Sequence, residues 1–191
     1  VALSAMGIVM KIAMILASVC IGFGIGSQPI LGFNLGARKY DRVRQTYLMA
    51  VSIATGSILI GWGICQLAPE LVLSLFGEEN QSFTDFAVRC LRIYLGGIFC
   101  DGFQIVSTNY FQATGQPLKA SVLSMLRQLI LLIPLLLILP LFFGLNGLLY
   151  AGPVADICSA VIVAFFILPE LRKLNRKIWD SKKNASAAAS L

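Results

Sequence analysis

The sequence predicts an all-α polytopic membrane protein with about five transmembrane helices. Of its 191 residues, 58% are hydrophobic and only 13% are charged, whereas a soluble domain carries charge on about a quarter of its residues. Several apolar runs reach about 20 residues, the length that crosses a hydrocarbon core of about 30 Å. The sequence lacks the alternating segments of about ten residues that are typical of a transmembrane barrel.

The apolar runs and the breaks between them predict five spans, at residues 3–33, 46–67, 86–113, 121–142 and 148–168. After Pro69, a mixed segment rich in acidic residues predicts a short interfacial helix that ends at Gly77, followed by a polar loop. Residues 184–191, NASAAASL, are low in complexity and are predicted to be disordered. We therefore divide the chain into a transmembrane lobe, residues 1–174, and a basic cytoplasmic tail, residues 175–191.

The distribution of positive charge predicts the orientation in the cell membrane. If the first helix enters from outside, most of the 15 Lys and Arg residues lie inside, and only Lys11, Arg89 and Arg92 lie on the outer half. The positive-inside rule therefore predicts a cytoplasmic C-terminus. The same bias explains the net charge of +6 without a nucleic-acid partner.

The residue types that most enzymes need are missing from the sequence. It has no histidine, no P-loop and no nucleophile–base pair, so we expect neither an enzyme nor a cofactor. Its five cysteines are scattered without metal-binding or redox spacing, and we interpret them as small buried hydrophobes. The chain starts at Val1 inside an apolar run, and five spans with an inward C-terminus place that start outside. Both observations predict that an upstream segment is missing.

The third span carries a polar stripe and is the candidate site. Asp101, Gln104, Thr108 and Gln112 fall on one face of a helix, and such a face needs protein or water rather than lipid. Asp101 could bind Na⁺ or a proton as a coupling group, or it could be a structural carboxylate. The structural alternative pairs it with Arg92, with a lysine of the first span or with a backbone group. The three uncharged residues either line a cavity or form hydrogen bonds between helices.

Four further polar residues are secondary candidates. Arg127 either extends to the cytoplasm or pairs with an acid near an inner gate. Asp156 is either a helix-packing carboxylate or a second polar site. Lys11 either reaches the nearer membrane interface or faces a cavity, and Asn34 belongs to the first loop or to an inner gate.

Five motifs, in order along the chain, resemble those of the multidrug and toxic compound extrusion (MATE) transporters. They are SQPILGFNLGARKYDRVRQ after the first span, RIYLGG and FQATGQPLKA in the third, SMLRQ opening the fourth and LPLFFGLNGL before the fifth. The resemblance covers residues 1–174 and is to the bacterial branch of drug exporters and DNA-damage-inducible transporters. It implies a twelve-helix fold of two lobes, with this chain as helices eight to twelve, most of the C-terminal lobe.

The resemblance also implies a function. Such a transporter would export organic compounds, often cationic and amphipathic, in exchange for Na⁺ or H⁺, with the D-x-x-Q pattern of Asp101 and Gln104 as a cation-coupling site. Its partners would be the lipid bilayer, drug-like small molecules and the missing N-terminal lobe, without which this chain would not transport. Two alternatives stay open: a flippase for lipid-linked saccharides from the same superfamily, and a membrane fragment that transports nothing.

Overall fold

A computed structural model describes residues 2–75 and 81–189, and every regular element within these ranges is helical. The eight α-helices are α1 (Ala2–Gly36), α2 (Tyr40–Leu67), α3 (Pro69–Ser74), α4 (Gln81–Tyr94), α5 (Phe99–Ala113), α6 (Pro117–Met125), α7 (Ile133–Phe143) and α8 (Leu145–Ala189). A 3₁₀ turn, Leu95–Gly97, joins α4 to α5, and a π-helical segment, Leu126–Leu132, joins α6 to α7. The interfacial helix after Pro69 is α3, and its expected end at Gly77 falls outside the described residues.

Four stretches of helix are long and apolar enough to cross a membrane within the described ranges. They are Ser4–Gly36, Tyr40–Leu67, Pro117–Phe142 and Gly147–Lys183. The span expected at 86–113 is instead divided into α4 and α5 by the 3₁₀ turn. Tyr94 and Ile98, which flank that turn, both keep right-handed helical dihedral angles, so α4 leads directly into α5.

Two helices are longer than the apolar runs predicted. The second begins at Tyr40 rather than at residue 46, and the last continues to Ala189 rather than ending at residue 168. The added residues include many Lys, Arg and Leu, which are good helix formers whatever their polarity. Leu174 also buries its side chain against the other helices. The α8 helix includes the backbone of 184–189, a segment whose low complexity had predicted disorder.

The α5 helix lies in the middle of the bundle, packed against α1, α2 and α8. Its approach to α2 depends on Gly102, because a Cβ atom there would lie 2.8 Å from Cα of Thr55. Gly97, in the turn before α5, similarly contacts Pro153 of α8. These close approaches place the first turn of α5, which contains Asp101, between α2 and α8.

The π-helical segment precedes Pro134, near the start of α7. Proline has no N–H, so the carbonyl group four residues earlier loses its usual α-helical partner. A change to i→i+5 hydrogen bonding is one way to accommodate that loss, and such segments occur frequently at functional sites. In this chain the segment carries Arg127 and Gln128.

The positively charged segments meet at one end of the bundle. In α8, Lys182 Nζ lies 3.5 Å from Oδ1 of Asp41 in α2, and Lys177 Nζ lies 5.5 Å from the centre of the Tyr40 ring. Nearer the middle of α8, Glu170 accepts a hydrogen bond of 2.9 Å from Nε2 of Gln116, in the turn before α6. The α1–α2 turn, the α5–α6 turn and the end of α8 are therefore on the same side.

Candidate functional site

The centre of the candidate site is a cluster of three charged side chains from three helical segments. Arg127, in the π segment, places its Nη2 atom 2.9 Å from Oδ1 of Asp101 in α5 and 2.6 Å from Oδ1 of Asp156 in α8. The two aspartates are only 4% and 8% exposed, and the guanidinium is half-buried. A single nitrogen atom therefore bridges two buried carboxylates.

With both carboxylates ionised, the cluster carries a net charge of −1. Among the described residues, the ion pairs of Asp101 and Asp156 are both with Arg127. Oδ2 of Asp101 accepts a hydrogen bond of 3.2 Å from Nη2, whereas its buried Oδ1 is close to Nη2 but accepts no aligned hydrogen bond. An unsatisfied buried carboxylate oxygen calls for a further partner, and a proton or a small cation would meet that need.

Gln104 extends the cluster along α5. Oγ of Ser159, three residues after Asp156 in α8, donates a hydrogen bond of 2.7 Å to Oε1 of Gln104. Both side chains are buried, so Gln104 forms the helix–helix hydrogen bond that was one of the two interpretations of the polar stripe. Thr108 does not reach another helix with its hydroxyl group, which donates to the backbone oxygen of Gln104 at 2.9 Å.

The C-terminal part of the stripe, near the end of α5, belongs to an amide cluster. Nε2 of Gln28 in α1 donates to Oδ1 of Asn109 and, at 3.0 Å, to Oε1 of Gln112. Asn109 was not among the predicted site residues because it lies off the face that starts at Asp101. The available signal was its polarity within an apolar span, beside Thr108.

A polar recess of about 270 Å³ connects these groups. Gln104, Thr108 and Gln112 line it from α5, and Arg127 lines it from the π segment. Asp101 and Asp156 do not line the recess. Arg127 therefore stands between the recess and the two carboxylates that hold its guanidinium. The remaining lining residues are Ile105, Asn109, Ser124 and Gln128.

The other sequence expectations have mixed outcomes. Pairing of Asp101 with Arg92 or Lys11 is wrong, because both of these side chains are exposed and the partner of Asp101 is Arg127. Arg127 itself pairs with acids instead of extending to a helix end. Asn34 is buried and donates to the carbonyl oxygen of Ile30 at 2.8 Å, a contact within its own helix.

The described residues provide no preformed acidic cage for a metal ion. Within 2–75 and 81–189, no three His, Cys, Asp or Glu side chains come together as a metal-binding group. A Na⁺ ion at Asp101 would therefore have to share its coordination with Asp156 and with uncharged oxygens. Both of these carboxylates are already paired with Arg127.

Two relatives of this chain are multidrug export proteins. The multidrug export protein MepA of Staphylococcus haemolyticus (strain JCSC1435) is 25% identical over 175 residues, which are 90% of this chain and 37% of the relative. MepA of Staphylococcus aureus (strain N315) is 24% identical over 177 residues, which are 89% of this chain and 38% of the relative. The chain thus spans less than two fifths of the length of these relatives. Both are export proteins and not enzymes.

Solved structures show the same fold. The outward-facing conformation of a multidrug resistance MATE family transporter of the MOP superfamily matches with a TM-score of 0.81 at 18% identity. That match covers 91% of this chain and 39% of the transporter. The MATE transporter ClbM in complex with Rb⁺ matches with a TM-score of 0.76 at 20% identity, over 93% of this chain and 42% of ClbM. The predicted all-α membrane fold of MATE type is therefore confirmed.

The family is established by sequence as well as by fold. The MatE family model matches residues 1–138, well over half of the chain. The match includes α1 to α6 and the π segment, and therefore Asp101 and Arg127. The chain belongs to the MatE family of multi-pass membrane transporters.

Proposed function

We propose that this chain forms most of the C-terminal lobe, helices eight to twelve, of a secondary multidrug antiporter. The transporter would export organic compounds, often cationic and amphipathic, while Na⁺ or H⁺ enters. The export function of the MepA relatives supports this proposal, together with the polar recess beside Arg127. Transport would require an N-terminal lobe as partner, because alternating access moves one repeat against the other around a central site.

The observation that carries the proposal is the position of Arg127 between the recess and two buried carboxylates. The net charge of −1 attracts an organic cation to the recess, since Coulomb interactions are strong where water is scarce. A proton or Na⁺ on Asp101 would bring the cluster to neutrality and remove that attraction. The coupling ion and the substrate would then compete for one negative charge, and each would weaken the binding of the other to the same extent.

The test is ethidium efflux from proteoliposomes that contain the complete gene product. We expect Asp101→Asn to abolish the dependence of efflux on an imposed Na⁺ or pH gradient, because the variant cluster is neutral before any ion binds. Asp85→Asn is the matched control, since Asp85 is an exposed acid outside the cluster, and it should keep the gradient dependence. Gradient-driven efflux by Asp101→Asn at the rate of the unchanged protein would overturn the proposal.

The flippase alternative is disfavoured by the charge of the recess. A lipid-linked saccharide carries phosphate groups, which need an excess of positive charge. Arg127 lines the recess, but its charge is offset by two buried carboxylates directly behind it, those of Asp101 and Asp156. Competition of a lipid-linked saccharide pyrophosphate with ethidium for the reconstituted protein would favour the flippase instead.

The remaining alternative, a membrane fragment that transports nothing, makes a genetic prediction. It requires that no N-terminal lobe is encoded upstream of the codon for Val1, so the DNA sequence there tests it.

We also propose that the protein lies in the cell membrane with a cytoplasmic C-terminus. The gathering of the basic segments at one end of the bundle supports this orientation. A C-terminal reporter fusion that is active only in the cytoplasm tests it.

A further inference from the structure

A second cavity lies at the basic end of the bundle, far along α8 from the charge cluster. It has a volume of about 290 Å³. Arg38, Lys39 and Arg42 line it from the α1–α2 turn and the start of α2, and Ile178 and Ser181 line it from α8. We call it the basic cleft. Its walls come from two separate parts of the chain, so it exists only in the folded bundle.

The basic cleft carries uncompensated positive charge. Its one carboxylate, Asp41, is paired with Lys182 at 3.5 Å. Arg38, Lys39 and Arg42 take part in no ion pair among the described residues. Three exposed cations with a hydroxyl group on the opposite wall form a donor set that suits a phosphate group.

The backbone of the turn holds this donor set in place. Arg38 has a φ of +55°, in the left-handed region that non-glycine residues seldom adopt. Its N–H donates to the carbonyl oxygen of Leu35 at 3.0 Å, and the N–H of Lys39 donates to that of Asn34 at 2.9 Å. A helix that ends with a left-handed residue commonly uses glycine there. Here the left-handed residue is Arg38, whose side chain lines the cleft.

The cleft also lies where a lipid headgroup would be. It opens beside the ends of two membrane-length helices, Ser4–Gly36 and Tyr40–Leu67, which are joined by this turn. Trp179, adjacent to the lining residue Ile178, is 63% exposed. Exposed tryptophan at the end of a membrane helix is typical of the interface between headgroups and acyl chains.

We propose that the basic cleft binds the phosphate-bearing headgroup of an anionic phospholipid. Arg38 and Arg42 would contact the phosphate oxygens, Ser181 would donate a hydrogen bond from the opposite wall, and Trp179 would pack beside the acyl chains. Basic pockets between membrane helices are known to hold such headgroups. The proposal does not depend on which compound the transporter exports.

The experiment measures lipid retention by native mass spectrometry. The complete gene product is purified from nanodiscs of phosphatidylglycerol or of phosphatidylcholine, and bound lipid is counted as detergent is raised. We compare Arg38→Gln/Arg42→Gln with the control Arg172→Gln/Arg176→Gln, which removes two exposed charges from α8 outside the cleft. We expect the cleft variant to retain phosphatidylglycerol at least about tenfold more weakly, and the control to change it less than about twofold.

A second variant separates binding from folding. Ser181→Glu places a negative charge on the α8 wall and leaves the α1–α2 turn unchanged, so it should also release phosphatidylglycerol while the thermal unfolding midpoint stays the same. Equal losses in the cleft and control variants would overturn the proposal, since they indicate a diffuse basic surface. Retention of phosphatidylcholine equal to that of phosphatidylglycerol would also overturn it. So would full displacement by inorganic phosphate at equal concentration, which indicates a site for the free anion.

Discussion

The charge cluster in the middle of the bundle and the basic cleft at its end use charged residues in opposite ways. In the cluster, two buried carboxylates, from α5 and α8, lie within 2.9 Å of one nitrogen atom of Arg127 in the π segment. The basic end has more charges, but they are exposed and far more loosely paired. We therefore expect burial, rather than the number of charges, to decide how much each charge affects stability.

The physical reason is the environment of each pair. Removing one partner from a buried ion pair leaves a charge without water or a counter-ion, which costs about 3–5 kcal/mol. An exposed pair loses only about 0–1 kcal/mol, because solvent and salt replace the partner. The two regions of this chain allow that difference to be measured within one protein.

The largest effect is expected for Arg127→Met. This change leaves the buried carboxylates of Asp101 and Asp156 without a counter-ion, and it should lower the free energy of unfolding by about 3–5 kcal/mol. Thermal and denaturant unfolding of the complete gene product in detergent measure it. Adding Asp101→Asn and Asp156→Asn should restore most of the lost stability. A single variant as stable as the unchanged protein would show that the cluster is hydrated.

A smaller effect is expected for Gly102→Ala, which tests the packing that holds the cluster in position. The new methyl group would meet the backbone of Thr55, and overpacking of this kind costs about 1–3 kcal/mol. Gly63→Ala in α2 is the control, because no atom lies within 4 Å of its added Cβ. The control should be neutral or slightly stabilising, since alanine favours a helix. Equal unfolding midpoints for the two variants would contradict the close approach of α5 to α2.

The smallest effect is expected for Lys182→Gln at the basic end. The side chains of Lys182 and Asp41 are 69% and 61% exposed, so the free energy of unfolding should change by less than about 0.5 kcal/mol. The change should vanish at high ionic strength, because salt screens exposed charges. A loss comparable with that of Arg127→Met would mean that the end of α8 is buried by a partner in the complete protein.

The sequence was a good guide to what depends on local pattern. Apolar run length located four of the five expected membrane helices, and the 3.6-residue period placed Gln104, Thr108 and Gln112 beside one recess. The ion-pair partner of Asp101 could not be found in this way. Arg127 is 26 residues away, and Asp156 a further 29, so their meeting depends on how α5, the π segment and α8 cross. No periodicity within a single helix contains that information.

The helix boundaries show a related limit. The division of α4 from α5 falls at the 3₁₀ turn, where Gly97 lies against Pro153 of another helix. The extension of α8 beyond residue 168 takes in good helix formers and the buried Leu174, and apolar run length registers neither. In both places the length of the apolar run alone does not give the helix boundary.

One nitrogen atom shared by two carboxylates also sets a limit on the stoichiometry of exchange. Under the proposed function, the cluster becomes neutral after accepting one proton or one Na⁺, so one ion would enter for each substrate molecule that leaves. Export of a monovalent cation would then move no net charge across the bilayer, and the membrane voltage would neither drive nor oppose it. Clamping the voltage with potassium and valinomycin should leave ethidium efflux unchanged, whereas a dication should leave more slowly as the interior becomes more negative.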